Sequence, residues 1–382
     1  MEFARMSSES VALQREEKIV ETDFPSDPAY LTMMGKGPRR IIHSEMWSNP
    51  DAETYLTGID AYDHPRQCRL RLNELYPCLG LGIPHTDTLL PRSENNVDTE
   101  AGTTRWGAGQ TSTFVHGESV FKSAADVFAF SPLEKADFRG WPFVVENWDY
   151  SNEDVIYEQA MKRVWPGAAE LQGKPAYTGT YFYNTMFMWP MLTFGWELFL
   201  ECCMDPRFER IMNEFAEINR RVFRVYSRLP LNYIACHDDI VMSSGPVCSP
   251  DWMHKYIFPR YEEYWGMLKA SGKAVIFMVD GRVDAYVDDV MACGARGFIT
   301  EPYTDFKAIA RKFHNCYLTG EGDNRVLSRN RPEEIRAMVQ SMAETGKMSG
   351  GYAMSIGNHI PWNIPGEAVK RYLDDCNELA WR

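Results

Sequence analysis

Carboxylates and imidazoles recur at one kind of place in the last part of this chain: directly after short apolar runs. His237-Asp238-Asp239 follows the run 231–236, Asp280-Gly281 follows 274–279, and Glu301-Pro302 follows 297–300. Gly320-Glu321-Gly322-Asp323 follows 316–319, and Ser355, Asn358 and His359 come after 351–354. Acidic groups and imidazoles brought to one spot can hold a divalent cation, move a proton or orient a polar substrate. Helical stretches separate the runs. Strand, charged tip, helix, strand is the pattern of parallel βα units. In a parallel barrel the strand ends on one face carry the chemistry. The tips therefore predict one acidic, metal-capable pocket.

Each tip also has a plainer use. Asp239 is expected to orient a substrate hydroxyl or a metal ligand, and Asp238 to pair with a barrel arginine. Asp280 would bind substrate, or metal in place of Glu301, so Asp239 and Asp280 are the candidate catalytic carboxylates. Glu301 could instead be a hydrogen-bonded loop carboxylate. The glycines around Glu321 suit close approach of backbone to a ligand, or only a tight turn, with Asp323 capping the next helix. His359 sits in a turn but follows the last strand. His237 is a candidate substrate-binding group. His43 is another: His43 and Glu45 are two apart on a strand, point the same way and are expected to reach the mouth together. His64, His85, His116, His254 and His314 fall outside the strand-tip pattern and are read as structural.

The elements that must position these tips follow from periodicity. Residues 1–37 read as an N-terminal extension, a charged helix and then a proline-containing loop, and 38–382 as one barrel domain with insertions in its N-terminal half. The first strand is expected within 38–47, and 51–75 as mostly helical. Between 77 and 148 the pattern is irregular, with a hairpin expected around 108–121 and a helix N-cap at Ser131. Helices are predicted over 154–166 and 197–225, where Ile211, Phe215, Ile218, Val222 and Val225 recur at helical steps. A strand candidate covers 176–183, and 365–382 closes the chain with a helix.

The chain has 382 residues, 45% hydrophobic and 24% charged, an ordinary globular composition that fits a barrel of about 250 residues plus extensions. A net charge of −13 argues against a nucleic-acid surface and against polyanionic substrates. No apolar run reaches the roughly 18 residues of a membrane span, and residues 1–22 lack a signal-peptide core, so a cytoplasmic protein is expected. Nine scattered cysteines with no CxxC read as reduced, mostly buried thiols. Aromatic residues make up 13% of the chain and concentrate in 181–200, expected to pack the core or a homodimer interface, with a few lining an apolar substrate pocket.

His237-Asp238-Asp239, Ser244-Gly245-Pro246, Ser249-Pro250, Phe258-Pro259-Arg260-Tyr261, Val279-Asp280-Gly281, Leu318-Thr319-Gly320 with Asp323, and Gly350-Gly351-Tyr352 occur in this order. Together they resemble the uroporphyrinogen decarboxylase superfamily, which includes corrinoid-dependent methyltransferases. The resemblance implies a (β/α)8 TIM barrel. Uroporphyrinogen decarboxylases themselves grip their substrate's carboxylates with an arginine-rich N-terminal segment, and here Pro38-Arg39-Arg40 is the only comparable cluster. The thiol-alkylating branch holds zinc with a His-x-Cys pair and a later cysteine, and here Met278 and Asp280 stand at the pair's positions. The chain is most similar to the methyltransferase component of bacterial O-demethylases. That group implies zinc on two glutamates and a histidine, matched in order by Glu301, Glu321 and His359 at a wider spacing. It also implies a small methoxylated, aromatic methyl donor and methyl transfer to cob(I)alamin on a partner corrinoid protein. The alternatives are a decarboxylase of an unidentified acid, with Asp280 or Asp239 protonating a carbanion, a methyltransferase with a methylamine or other donor, and a binding subunit whose site has decayed.

Overall fold

A computed structural model describes residues 26–77, 86–92, 95–99, 102–106, 112–116, 120–141, 146–164, 177–183 and 185–382. Its centre is a sheet of seven strands: β1 (Ile42–His43), β2 (Gly179–Phe182), β3 (Tyr233–His237), β4 (Ala274–Met278), β5 (Gly297–Ile299), β6 (Tyr317–Thr319) and β7 (Gly351–Met354). Every neighbouring pair is parallel, and β2 to β7 stand side by side in chain order. β1 then pairs with β7, Ile42 opposite Ala353 and His43 opposite Met354. A first strand beside the last is how a parallel barrel wraps round. Among the described residues no ladder joins β1 to β2.

The regular half follows the sequence pattern closely. Before β3 lies α1 (Phe208–Arg228), whose buried side includes Ile211, Phe215, Ile218, Val222 and Val225. Helix α2 (Phe258–Ala270) precedes β4, α3 (Val287–Cys293) precedes β5, α4 (Phe306–Lys312) precedes β6, and α5 (Pro332–Met348) precedes β7. The chain closes with α6 (Gly366–Leu379). Side chains alternate along each strand. Ala235, Ile276, Tyr317 and Ala353 pack with Ile42, Tyr181, Tyr233 and Ile299 in an inner cluster. Ile234, Cys236, Phe277, Leu318 and Tyr352 join the larger core beneath the helices. Met33, from the short helix Pro28–Met33, enters the inner cluster, and its carbonyl accepts from Arg296 Nε at 2.9 Å.

The irregular half departs from expectation in several places. The helix anticipated over 197–225 is two, Trp196–Cys202 and α1, because Pro206 lies between them and cannot continue a hydrogen-bonded turn. The hairpin expected near 108–121 is a three-stranded antiparallel meander of Asn95–Thr99, Gly102–Trp106 and Ser112–His116, so it begins earlier. The stretch 51–75 is broken into Pro50–Thr57 and Pro65–Leu75, with Gly58 in a left-handed conformation at the break. Ser131 does cap, its side chain accepting from the Glu134 amide. The aromatic stretch is mainly core: Phe182, Met186, Phe187, Trp189 and Phe194 are buried. The charged helix expected near the N-terminus, His85 and Cys78 lie outside the described residues, whereas the eight described cysteines are free. No helix among the described residues is long and apolar enough to cross a membrane.

Candidate metal centre at the strand tips

Strand alternation decides which tip residues share a space. Tyr233 and Ala235 of β3 face the inner cluster, so His237 and then Asp239 continue on that side. His237 Nε2 lies 2.8 Å from Asp239 Oδ1, and the backbone N–H of Asp280, just past β4, donates to the same oxygen at 2.8 Å. One ligand atom from each of His237, Asp239 and Asp280 lies within 4.8 Å of the others, the one group of three metal-ligating side chains so gathered among the described residues. The Tyr183 ring, one residue beyond β2, meets the His237 imidazole edge-on at 4.7 Å. Asn358, held at φ 64°, donates from Nδ2 to Asp280 Oδ2 at 3.3 Å, and its Oδ1 lies 2.6 Å from His359 Nδ1.

The electrostatics of this cluster favour a cation. Burial pushes the Asp280 carboxyl up to about 7, with Asp239 adding to the shift, His237 opposing it and Glu301 adding to it. Burial also raises Glu301, against hydrogen bonding by the Gly281 amide. For His237 burial disfavours the charged ring, yet the bond to Asp239 and the nearby carboxylates win, and its pKa is raised. Several partly buried acids gathered with one imidazole are costly unless positive charge compensates them. A neutral imidazole and two carboxylates would balance a divalent ion, and the nitrogen and oxygen donors suit zinc. His237 Nδ1 is buried with no hydrogen-bond partner, a further donor atom that the protein itself leaves unused. The residues fit a metal.

The structure gathers His237, Asp239 and Asp280 from the expected set and does not gather Glu301, Glu321 and His359 into one group. Glu301 stands beside the triad, close enough to act on Asp280. His359 adjoins through Asn358 and is held below its usual pKa by burial. Glu321 faces the other way. Its carboxylate accepts from Tyr352 Oη at 2.7 Å and from Thr345 Oγ1 at 3.0 Å, under α5. The cause is Gly320: at φ 105° the chain leaves the extended path, so the residue after it loses the alternation that turns Tyr317 inward.

His43 is also on the outer face of its strand, since Ile42 is the one in the inner cluster. Its Nε2 meets Glu45 Oε1 at 2.9 Å and Tyr372 Oη at 3.1 Å, beneath α6. Among the described residues Asp238 pairs with no arginine. Its buried carboxylate accepts from the amides of Phe187 and Met188 and from Tyr261 Oη. Two neighbours of the triad escaped notice as site residues: Tyr183, which alternation along 176–183 could have turned inward with Tyr181, and Asn358, seen only as part of a polar tip. Of the histidines read as structural, His254 makes an exposed contact with Asp289 at 3.3 Å and His314 lies on the surface.

Residues 205–379 match the family described as uroporphyrinogen decarboxylase (URO-D). Among solved structures, a methyltransferase from Methanosarcina mazei shares the fold: 14% identity, a TM-score of 0.53, and coverage of 92% of this chain and 98% of that one. No curated protein matches the sequence. The matched stretch 205–379 holds β3 to β7 and the triad at their tips, so it is this part of the chain that is similar to the uroporphyrinogen decarboxylase family.

Proposed function

We propose that the protein is a corrinoid-dependent methyltransferase. It would take a methyl group from a small methoxylated, aromatic compound and pass it to cob(I)alamin carried by a partner corrinoid protein. One observation carries the reading: His237, Asp239 and Asp280 converge within 4.8 Å at the strand tips, where a parallel barrel places its chemistry. The likeness in fold to a protein that is itself a methyltransferase supports the same class.

A zinc ion held by His237, Asp239 and Asp280 would supply Lewis acidity at the ether oxygen, where negative charge develops as the methyl group leaves. The chain's own residues do the rest. Asn358 holds the Asp280 carboxylate, and the Asp280 amide holds Asp239, so the donors are placed before substrate arrives. Tyr183 closes one side beside His237. The C–O bond breaks with its electron pair on oxygen, and the carbon–cobalt bond forms from the pair on Co(I). An in-line approach requires the partner to seat over the same mouth.

The test is to incubate the protein with reduced cobalamin and a methoxylated benzene and to follow methylcobalamin and the phenol, with elemental analysis in parallel. About one zinc per chain and stoichiometric products are expected. Consumption of methylated amines alone would overturn the aromatic ether. A decarboxylase is the second reading, favoured by the burial of Asp280 beside Asp239 and Glu301, which raises that acid's hold on a proton. It requires carbon dioxide release by metal-free protein.

A further inference from the structure

Beside the triad lies a cavity of about 420 Å³ lined by Glu146, Trp148, Gln159, Lys162, Arg163 and Tyr183. Tyr183 is common to both places, lining the cavity and meeting the His237 ring at 4.7 Å. Burial raises the pKa of the same phenol, and the charges of Arg163, Asp280 and Asp239 all reach it. A molecule in the cavity is therefore one side chain away from the metal-capable cluster.

The lining has a definite chemistry. Trp148 and Tyr183 offer aromatic surface. Arg163 forms an ion pair with Glu146, and its guanidinium stands 5.8 Å from the Trp148 ring centre, so it is fixed in place. Gln159 is occupied too, its Nε2 donating to the Asp149 carbonyl at 2.8 Å and its Oε1 accepting from the Asp149 amide at 3.1 Å. Lys162 pairs with no carboxylate among the described residues. Among the described residues that line the cavity, two cations stand against one carboxylate, in a chain whose net charge is −13. Such a reversal of sign beside an acidic cluster selects a ligand with opposite ends.

We infer that the cavity is the substrate's recognition site and that the substrate is an aromatic carboxylate: its ring lies between Trp148 and Tyr183, its carboxylate meets Lys162, and its reactive end points past Tyr183 to His237, Asp239 and Asp280. The assignment rests on the proposed methyl transfer only for what that reactive end is. Carboxylate recognition by Lys162 stands apart from it.

The experiment uses 4-methoxybenzoate and its neutral counterpart 4-methoxybenzamide, titrated calorimetrically into the full-length protein. The acid should bind and the amide bind several-fold more weakly. Lys162→Gln should weaken the acid about fivefold, as expected for one partly exposed charged contact, without changing the amide, and Lys162→Arg should restore it. Lys162 is exposed on its helix, so these variants fold. Equal affinity for acid and amide, or an acid unaffected by Lys162→Gln, overturns the inference even if methyl transfer proceeds. Charge-selective binding without methylcobalamin supports the inference and removes the methyltransferase reading instead.

Discussion

His237 Nε2 and Asp239 Oδ1 lie 2.8 Å apart at the end of a single strand, two residues from one another in sequence. A strand places such residues on one face, so the backbone alone brings this imidazole and carboxylate together. Asp280 arrives from the neighbouring strand and ties itself to the same oxygen through its amide. Removing the Asp239 charge should therefore remove both a donor and the group that organises the other two.

Asp239→Asn is expected to lose bound zinc and to lower methyl transfer by at least about 100-fold, since metal sites lose this much when even supporting groups change. Asp239 is partly exposed, so far-UV circular dichroism should be unchanged. Elemental analysis of gel-filtered variant checks it. Full zinc occupancy would move the metal elsewhere.

Asp238, the residue between them, has the opposite role. Its buried carboxylate accepts from the Phe187 amide at 2.9 Å, the Met188 amide at 2.6 Å and Tyr261 Oη at 2.6 Å. It thus anchors the start of the helix Met188–Phe194 to the tip of β3. Asp238→Ala would leave three buried donors unmatched and should cost about 3 kcal/mol or more. Urea unfolding measures this. A loss below about 0.5 kcal/mol, typical of surface changes, would contradict the anchoring.

Much of this arrangement was legible in the sequence where local rules suffice. The apolar runs 274–279 and 297–300 became β4 and β5 because buried parallel strands need little more than an apolar run and a polar stop. His237, Asp239 and Asp280 could be placed together because His237 ends a strand, the other two lie just beyond one, and the alternation is intact. Glu321 and His43 were not, and the reasons are physical. The direction of Glu321 depends on Gly320 adopting a positive φ, and that of His43 on which of two adjacent residues in β1 faces inward. Tyr183 meets His237 only through the pairing of β2 with β3, a contact between segments far apart in the chain. Asp238 looked like a partner for arginine, yet backbone amides from 187 and 188 satisfy it.

Glu321 should reveal its outward position through pH. Burial raises its carboxyl to about 7, against hydrogen bonds from Tyr352 and Thr345. With the folded value above the unfolded one, the folded state holds the proton more tightly. Stability is therefore fullest below the unfolded value of 4.5, falls as pH rises toward 7, and is level above that. Glu321→Gln stays neutral throughout and keeps an oxygen for the hydroxyl donors. Its midpoint of thermal unfolding should gain on wild type between pH 5 and 8 by an amount equivalent to roughly 2–3 kcal/mol. Zinc content should not change. A pH-independent difference, or lost zinc, would place Glu321 in the metal site after all.

Gly320 is the turn on which that placement depends. Its φ is 105°, and a Cβ built there would lie 1.8 Å from the Thr300 carbonyl oxygen, which is backbone and cannot swing aside. Gly320→Ala must therefore both strain the dihedral and push β5 and β6 apart at their tips. The expected loss is about 3 kcal/mol or more, read as a lowered urea midpoint. Combining Gly320→Ala with Glu321→Gln separates the two effects. If the alanine acts by displacing Glu321, the pH-dependent gain seen with Glu321→Gln in the wild-type background should shrink in the double variant. If it acts through the Thr300 clash alone, the gain should persist undiminished on a less stable protein.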